Sequence, residues 1–468
     1  DFSLGRVTLE SGGGADTLKG GAGNDAFRID VSNLVAGTDF VSVDPGGGSG
    51  NRVVILEAGP TVTQSDLEWV TFTPGASADY TIEQSTVNVA GDLIFSGRNI
   101  TLKGDTVNIR GYRIDTSHSS NAGSITIEAD HITIDSGSVL DASATMAGGT
   151  AGDILIAAVD DRATVTALGF ANVDLVDTKV TIGNATIMGG DVQIIATADS
   201  QHLLLESDFG DTALARFAHL ETDTLLRQIE NAAVFAGVSV ANSDAQIIID
   251  SESAAPTTII ADSFTAWSTA KVRASSAPIA FGGGVAVGVG ITNADVTVGN
   301  ASITTAGNAV FRTSTDHIVD VVADVTGMKG VAFAIAVSVV DSDATTHIQE
   351  DATLTVGGDL FVQADTVDRN RTMARSTTGD DGLFGLSLGV TVENGDTNAW
   401  LDGTADVAGN VNVTAKQSRS PVEANKLFLV PTFVNGLVAA TGTGSVSTGD
   451  FFDDITLTVF GKLKDWAK

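Results

Sequence analysis

Two consecutive nonapeptides near the amino terminus carry the residues best suited to binding a metal ion. They read Ser-Gly-Gly-Gly-Ala-Asp-Thr-Leu-Lys over 11–19 and Gly-Gly-Ala-Gly-Asn-Asp-Ala-Phe-Arg over 20–28. Their aspartates supply hard carboxylate oxygens, the ligand type that Ca²⁺ prefers. Their glycines can adopt positive φ angles, which lets a turn direct its carbonyl oxygens inward. We therefore predict a calcium site that uses Asp16, Asp25, Gly14, Gly20, Ala22 and Asn24.

Each nonapeptide also contains one apolar residue, Leu18 or Phe27, as a stacked strand requires. The second nonapeptide matches the pattern G-G-x-G-x-D-x-(apolar)-x at every fixed position, and the first departs from it only at Ser11. This pattern resembles the RTX repeat of secreted bacterial proteins, whose turns stack into a calcium-bound parallel β-roll. The resemblance implies ions held between turns on the same side, two repeats apart. Two nonapeptides would then need flanking residues such as Glu10 or Asp30 to complete a site.

Acidic residues further along the chain are candidates for a second chemistry, the cleavage or epimerisation of polysaccharides. They would resemble the Asp-rich clusters that parallel β-helix lyases, hydrolases and epimerases place on one exposed sheet. Aromatic side chains, which usually line such sugar-binding grooves, make up only 6% of the chain. The six histidines are scattered without metal-ligand spacing, which argues against zinc. We predict that the protein is not an enzyme. The candidate catalytic groups are either Asp130, Asp135 and Asp141, or Asp160, Asp161 and Arg162.

Short strands with period-2 alternation recur from about residue 84, as in Thr86–Val89, Asn99–Leu102 and Ser124–Ile127. Hairpins would need a tight turn after nearly every strand, whereas a right-handed parallel β-helix explains the pattern with each strand stacked on its equivalent. The stretch SGSVLDASATMAGGTAGDI over 136–154 resembles the coils of filamentous-haemagglutinin-like exoproteins. The predicted fold is therefore all-β, a parallel β-helix or solenoid with a short RTX-like β-roll at the amino terminus.

The second half repeats with a longer period. The same turn precedes the same strand at 306–309, 357–360 and 408–411, in steps of 51 residues. Such a period fits either one large coil or two coils of about 25 residues each. Within these repeats large and tiny residues alternate, as over 284–291, 331–338 and 384–390. We expect the large residues to form the core, and the small ones either to pack between close sheets or to form a lateral assembly surface.

One segment has the pattern of a helix. Between Asp211, a suitable N-cap, and Asn231, an apolar stripe is formed by Leu214, Phe217, Ala218, Leu225 and Ile229. The predicted domains are a calcium segment and linker at 1–50, a first β-helix segment at 51–198, a partly helical insertion at 199–232, and a solenoid of roughly 50-residue repeats at 233–468.

Composition narrows the functional classes. The formal net charge is −33, from 58 acidic and 25 basic residues, which disfavours nucleic acid and anionic lipid and favours cations. No cysteine is present, so neither a disulfide nor a thiolate metal site contributes. No apolar run reaches the roughly 18 residues of a membrane helix. We expect an excised piece of a longer protein.

Together these observations predict a structural or adhesive protein at the bacterial cell surface or outside the cell. It would be a calcium-stabilised β-solenoid rod within a giant secreted or surface protein. Two alternatives stay open, a self-assembling filament or surface-layer subunit and a polysaccharide-active β-helix enzyme. The expected partners are Ca²⁺, other copies of the chain side by side or end to end, and a cell-surface or matrix polysaccharide.

Overall fold

The computed structural model describes 8–10, 16–30, 41–46, 51–56, 61–64, 70–72, 79–165, 171–203, 235–276, 279–281, 283–327, 330–378, 382–419, 429–430, 433–434 and 437–441. Every element in these ranges is a strand. None of them contains a helix long and apolar enough to cross a membrane. The helix predicted over 211–231 lies outside the described residues, whereas 199–203 belong to a strand.

The strands before residue 142 are short, as the turn spacing predicts. Their bounds are β1 Thr8–Glu10, β2 Asp16–Lys19, β3 Ala26–Asp30, β4 Val41–Asp44, β5 Arg52–Leu56, β6 Thr61–Val62, β7 Val70–Phe72, β8 Asp79–Glu83, β9 Thr86–Val89, β10 Leu93–Ile94, β11 Ile100–Lys103, β12 Thr106–Arg110, β13 Arg113–Asp115, β14 Ile125–Ala129, β15 His131–Asp135 and β16 Ser138–Asp141.

Many of the later strands are much longer. Their bounds are β17 Ile154–Val165, β18 Ala171–Ile182, β19 Ala185–Leu203, β20 Phe235–Ile249, β21 Thr257–Ser276, β22 Ile279–Phe281, β23 Gly283–Val298, β24 Ala301–Thr305, β25 Ala309–Gly327, β26 Gly330–Ile348, β27 Thr353–Val356, β28 Leu360–Thr378, β29 Gly382–Asn394, β30 Thr397–Leu401, β31 Thr404–Val407, β32 Val411–Arg419, β33 Leu429–Val430, β34 Phe433–Val434 and β35 Leu437–Thr441.

Most strands pair in parallel with a strand from the next pass of the chain, in three series. Series one contains β1, β3, β5, β8, β11, β14, β17, β19, β21, β25, β28 and β32. Series two contains β6, β9, β12, β15, β18, β20, β23, β26, β29 and β35. Series three contains β10, β13, β16, the first residues of β19 and β21, then β24, β27 and β31. The prediction of an all-β protein with long parallel sheets is confirmed.

The register of series one decides how the long repeat is built. Ala309 lies opposite Leu360, and Leu360 lies opposite Val411. Each 51-residue step therefore adds one strand to the series, so one repeat is one large pass of the chain rather than two small ones.

Alternating apolar residues form the core between the series. In series two, Val87, Val107, Ile132 and Val180 follow one another in register, and each is at most 1% exposed. Side chains of a strand alternate between its two faces, so every second residue of each pass adds to this column. The β-branched Val and Ile that fill it suit a pleated surface. The result is one continuous core along the stack.

The long strands extend beyond this core as two sheets that face each other closely. Ala286, Ala334 and Ala336 of series two are fully buried and pack against Val319 and Val321 of series one. Among the described side chains of these stretches, Val289 is buried beside Val240, whereas the other large residues are only partly buried. The expectation that the large residues form the core is therefore wrong for most of them, because the space between the sheets accepts only small side chains on one side. Of the two interpretations of the small residues, interior packing is confirmed by this burial.

Candidate functional site

A column of polar side chains runs along one corner of the stack. All members occupy the same register position in series one. From the next residue onward, alternate side chains of each strand face the core. We call this column the corner ladder. Its members are Asp79, Asn99, Ser124, Asp153, Asp191, Ser263, Asn308, Asp359 and Asn410.

Members of the corner ladder bond to one another between passes of the chain. The Asn99 backbone N–H donates to Asp79 Oδ1 (3.0 Å), and Asn99 Nδ2 donates to Asp79 Oδ2 (2.9 Å). The Ser124 N–H then donates to Asn99 Oδ1 (2.7 Å). Near the other end of the ladder, the Asn410 N–H donates to Asp359 Oδ1 (2.7 Å). Asp, Asn and Ser suit this position because their short side chains bond readily to neighbouring backbone groups.

Replacing Asn99 by alanine should lower the free energy of unfolding by about 1 kcal/mol, because the change removes two hydrogen bonds at an exposed corner. Urea unfolding followed by circular dichroism measures this change. Asn121→Ala is the matched control, since Asn121 is an exposed asparagine outside the corner ladder. Equal stabilities of the two variants would show that the ladder contributes nothing.

The second predicted calcium turn is built around Asp25. Its side chain is 1% exposed, and its Oδ2 accepts the Gly21 N–H at 2.7 Å. The Asp25 N–H donates to Asn51 Oδ1 (2.8 Å), a bond between passes like those of the corner ladder. Ala22 and Asn24 are exposed at the outside of this turn. Asp25 thus stabilises the turn through its own hydrogen bonds.

The two predicted calcium aspartates lie on opposite sides of the stack. Asp16 begins β2, which pairs with β4, whereas Asp25 precedes β3, which pairs with β1 and β5. Gly20 belongs to the turn of Asp25, and Gly14 lies outside the described residues. The structure therefore does not bring Asp16 and Asp25 into one site. Within the described ranges no group of three or more His, Asp or Glu side chains is arranged to hold a metal ion.

The described residues of this segment offer the type of ligand that calcium prefers, but they offer too few of them for a complete site. Ca²⁺ takes six to eight oxygen ligands from carboxylates, carbonyls and water. The turn of Asp25 supplies one carboxylate and a glycine-rich backbone. Glu10 and Asp30 end strands β1 and β3, which pair in parallel, so both lie towards the end of β3 that is remote from Asp25. Asp30 is therefore separated from Asp25 by the length of β3.

In neither candidate catalytic group do all the acidic side chains face one site. Asp130 precedes β15, Asp135 ends β15 and Asp141 ends β16, so they belong to different corners of one pass. Asp141 is 5% exposed and accepts a hydrogen bond from the Arg113 guanidinium at 2.5 Å. Asp160 and Asp161 are neighbours on β17, the first buried and the second exposed, and so face opposite sides of the sheet. Arg162 follows on the same strand.

Between the facing sheets lies a series of buried polar side chains that the sequence did not suggest. Each hydrogen bond joins a series-two strand to a series-one strand, and we call the set the inter-sheet seam. It includes Thr292–His317 (3.0 Å), Thr313–Thr346 (3.0 Å), Ser338–Thr372 (2.6 Å), Ser342–Asp368 (2.9 Å) and Asn370–Glu393 (2.7 Å).

His317 is the one histidine of the inter-sheet seam. It is fully buried, with Nδ1 3.0 Å from Thr292 Oγ1 and 3.9 Å from Asp368 Oδ1. Burial lowers the pKa of His317 from its usual 6.5 to about 4, partly opposed by a hydrogen bond with the Gly290 backbone. The imidazole is therefore neutral at physiological pH, and it holds the sheets together by hydrogen bonding rather than by charge.

The outer face of series two carries aligned acidic and amide side chains. Asp244, Asn293 and Asp343 lie in one register row, and Asn293 Nδ2 donates to Asp244 Oδ1 at 3.0 Å. Burial raises the pKa of Asp244, and burial likewise raises the pKa of Asp295 in the next row, while hydrogen bonds from neighbouring side chains oppose both shifts. This row concentrates negative charge on one face, which fits a chain of net charge −33.

Comparisons with known proteins identify no relative. No protein-family model matches the chain, and neither a curated protein nor a solved structure matches it. The functional conclusion therefore depends on the residues and contacts described above.

Proposed function

We propose that this chain is a structural rod, a right-handed parallel β-solenoid within a large secreted or surface-anchored bacterial protein of structural or adhesive role. The observation that carries the proposal is the parallel register of series one from β1 to β32. In such a stack almost every edge strand is used by its neighbour, and the load is shared among many identical contacts. The corner ladder and the inter-sheet seam add bonds between passes and between sheets.

The dispersed positions of the acidic candidates favour this structural role over a polysaccharide-active enzyme. A general acid and base must lie within reach of the same bond in the substrate. Asp130, Asp135 and Asp141 belong to different corners, and Asp141 is engaged with Arg113. Acidic residues at the corners of a solenoid also serve solubility.

The amino-terminal segment is proposed to use calcium outside the cell. The two nonapeptides place Asp16 and Asp25 on opposite sides of the stack, so each would contribute to its own site. The negative charge of the chain attracts cations and repels itself, and a bound divalent ion relieves this repulsion. Such binding would order the segment only where calcium is abundant.

Calcium should raise the melting temperature of the full chain, and EGTA should reverse the effect. A ligand that binds only the folded state at 100 times its dissociation constant adds about 2.7 kcal/mol of stability. Thermal unfolding followed by circular dichroism, with magnesium as the comparison ion, measures the effect.

Two substitutions assign the effect to the nonapeptides. Asp25→Asn keeps an oxygen for the Gly21 N–H but removes the negative charge, so it should reduce the gain from calcium. Asp161→Asn, at an exposed position on β17, is the matched control and should keep the full gain. If melting of the unmodified chain is the same in calcium and in EGTA, the calcium proposal is wrong.

A further inference from the structure

The stack widens abruptly between two passes of the chain. In the pass before this step, β14 ends at Ala129 and β15 begins at His131, so the chain crosses from series one to series two almost at once. In the next pass, Ala158 lies opposite Ala129 and Lys179 lies opposite His131. Between these two positions the chain continues outward along β17 and returns along β18. The long facing sheets therefore begin at a step in the stack.

The step leaves an edge of β18 without a neighbouring strand. Residues 171–178 of β18 pair with 238–245 of β20 on one side. On the other side β15 pairs with β18 only from Lys179 onward, and no strand in the described part of the chain lies beside 171–178. The chain is described without interruption from 79 to 165, so this edge results from the early turn at Asp130. An unpaired strand edge is a template for another strand.

The outward side chains along this edge are apolar and then acidic. Val173 and Leu175 are 42% and 50% exposed, whereas Val240, the register partner of Val173 on β20, is 1% exposed. Asp177 is the next outward residue and is exposed as well. A further strand beside 171–178 would cover the apolar surface of Val173 and Leu175, and such burial is favourable.

The charge of the edge restricts which strand can bind there. Asp177 lies opposite Asp244 of β20, and like charges directly opposite each other destabilise a sheet. The two segments beyond the step, 159–165 and 171–178, contain four aspartates and one arginine. A second copy of this chain, with a net charge of −33, is repelled from such an edge. A strand with a basic residue beside Asp177 relieves the repulsion, so the aspartates discriminate between strands.

We propose that the 171–178 edge of β18 binds an extended peptide of another protein as an added parallel strand. This peptide has apolar residues opposite Val173 and Leu175 and a lysine or arginine opposite Asp177. In this mode of recognition main-chain hydrogen bonds supply affinity and side chains supply specificity. The inference goes beyond the proposed rod, because it assigns a partner chemistry to one place along it. A rod that is seen by electron microscopy but binds no peptide would refute only the docking site.

Fluorescence anisotropy of labelled synthetic peptides tests this docking site in the full chain. The probe Thr-Val-Thr-Val-Thr-Lys-Thr places its valines opposite Val173 and Leu175 and its lysine opposite Asp177. A second peptide has glutamate instead of lysine, and a third, Lys-Thr-Thr-Val-Val-Thr-Thr, keeps the composition of the probe but loses the alternation. At physiological ionic strength, where distant charges are screened, we expect both to bind about fivefold more weakly than the probe.

A charge reversal in the protein locates the binding. Asp177→Lys should weaken binding of the lysine probe about fivefold and strengthen binding of the glutamate peptide. Asp262→Lys is the matched control and should change neither affinity, because Asp262 is an exposed aspartate on β21, which has neighbouring strands on both sides. The proposal is wrong if the lysine probe does not bind the unmodified chain, if it binds no better than the rearranged peptide, or if both variants weaken it equally.

Discussion

As the pH falls from 6.5 to 4, the protein should lose about 3 kcal/mol of folding free energy at His317 alone. Burial lowers the pKa of His317 to about 4 in the folded state, whereas in the unfolded chain the pKa is near 6.5. Between these values the unfolded chain binds more protons than the folded one. The stabilising contribution is therefore complete above pH 6.5 and is lost as the pH approaches 4.

The groups around His317 stabilise the protonated imidazole too weakly to offset its desolvation. The ring lies between the two sheets without exposure, 3.9 Å from the nearest oxygen of Asp368. Asp316 and Asp341 attract a positive charge there, but desolvation outweighs both in setting the pKa. Acid should consequently loosen the inter-sheet seam before it disturbs the narrower β8 to β16 region, which has no buried histidine among its described residues.

Denaturant unfolding at pH 7 and at pH 4.5 measures this effect. His317→Gln removes the titrating group, so the variant should lose less stability than the unmodified protein between these two values. His347→Gln is the matched control, because His347 is partly exposed and bonded to Asp402, and it should keep the full pH dependence. If His317→Gln and the unmodified protein respond equally to pH, protonation of His317 does not govern the acid sensitivity.

The sequence sufficed to predict the parallel β architecture because that architecture depends on local rules. Period-2 alternation and frequent turns are properties of short segments. The 51-residue step of the sequence corresponds to the pairing of Ala309 with Leu360 and of Leu360 with Val411. The repeated turn before each series-one strand was also visible. The role of this turn in the corner ladder could not be predicted, because the hydrogen bond from Asn410 to Asp359 depends on the register between residues distant in sequence.

The orientation of the alternating stretches could not be derived from their pattern. A period of two assigns Val287 and Gly288 to opposite faces, but it does not say which face lies inside. That choice depends on the approach of β25, whose His317 and Val321 occupy the space left by Gly290 and Gly288. The same limit applies to Asp130, Asp135 and Asp141, whose closeness in sequence did not show that they lie at different corners.

The close approach of the two sheets makes Gly288 one of the least replaceable residues, and Gly288→Val should destabilise the protein by about 1–3 kcal/mol through overpacking. A Cβ atom at this position would lie 2.5 Å from Val321 Cγ2 and 3.1 Å from Val319 Cγ1, both fully buried. Valine is otherwise a favourable residue for a strand, so a loss of stability would oppose its intrinsic preference. Urea unfolding measures the change, with the outward-facing Thr345→Val as control.

A second substitution distinguishes crowding from any other effect of losing glycine. Val321→Ala removes the methyl groups nearest to residue 288, so by itself it should destabilise the protein by leaving a cavity. Combined with Gly288→Val it should cost less than the sum of the two single changes, because each substitution then fills or vacates the space that the other alters. Strict additivity of the two free-energy changes would mean that Gly288 and Val321 do not share this space. The narrow gap between the sheets would then not be the reason for the small residues in the alternating strands.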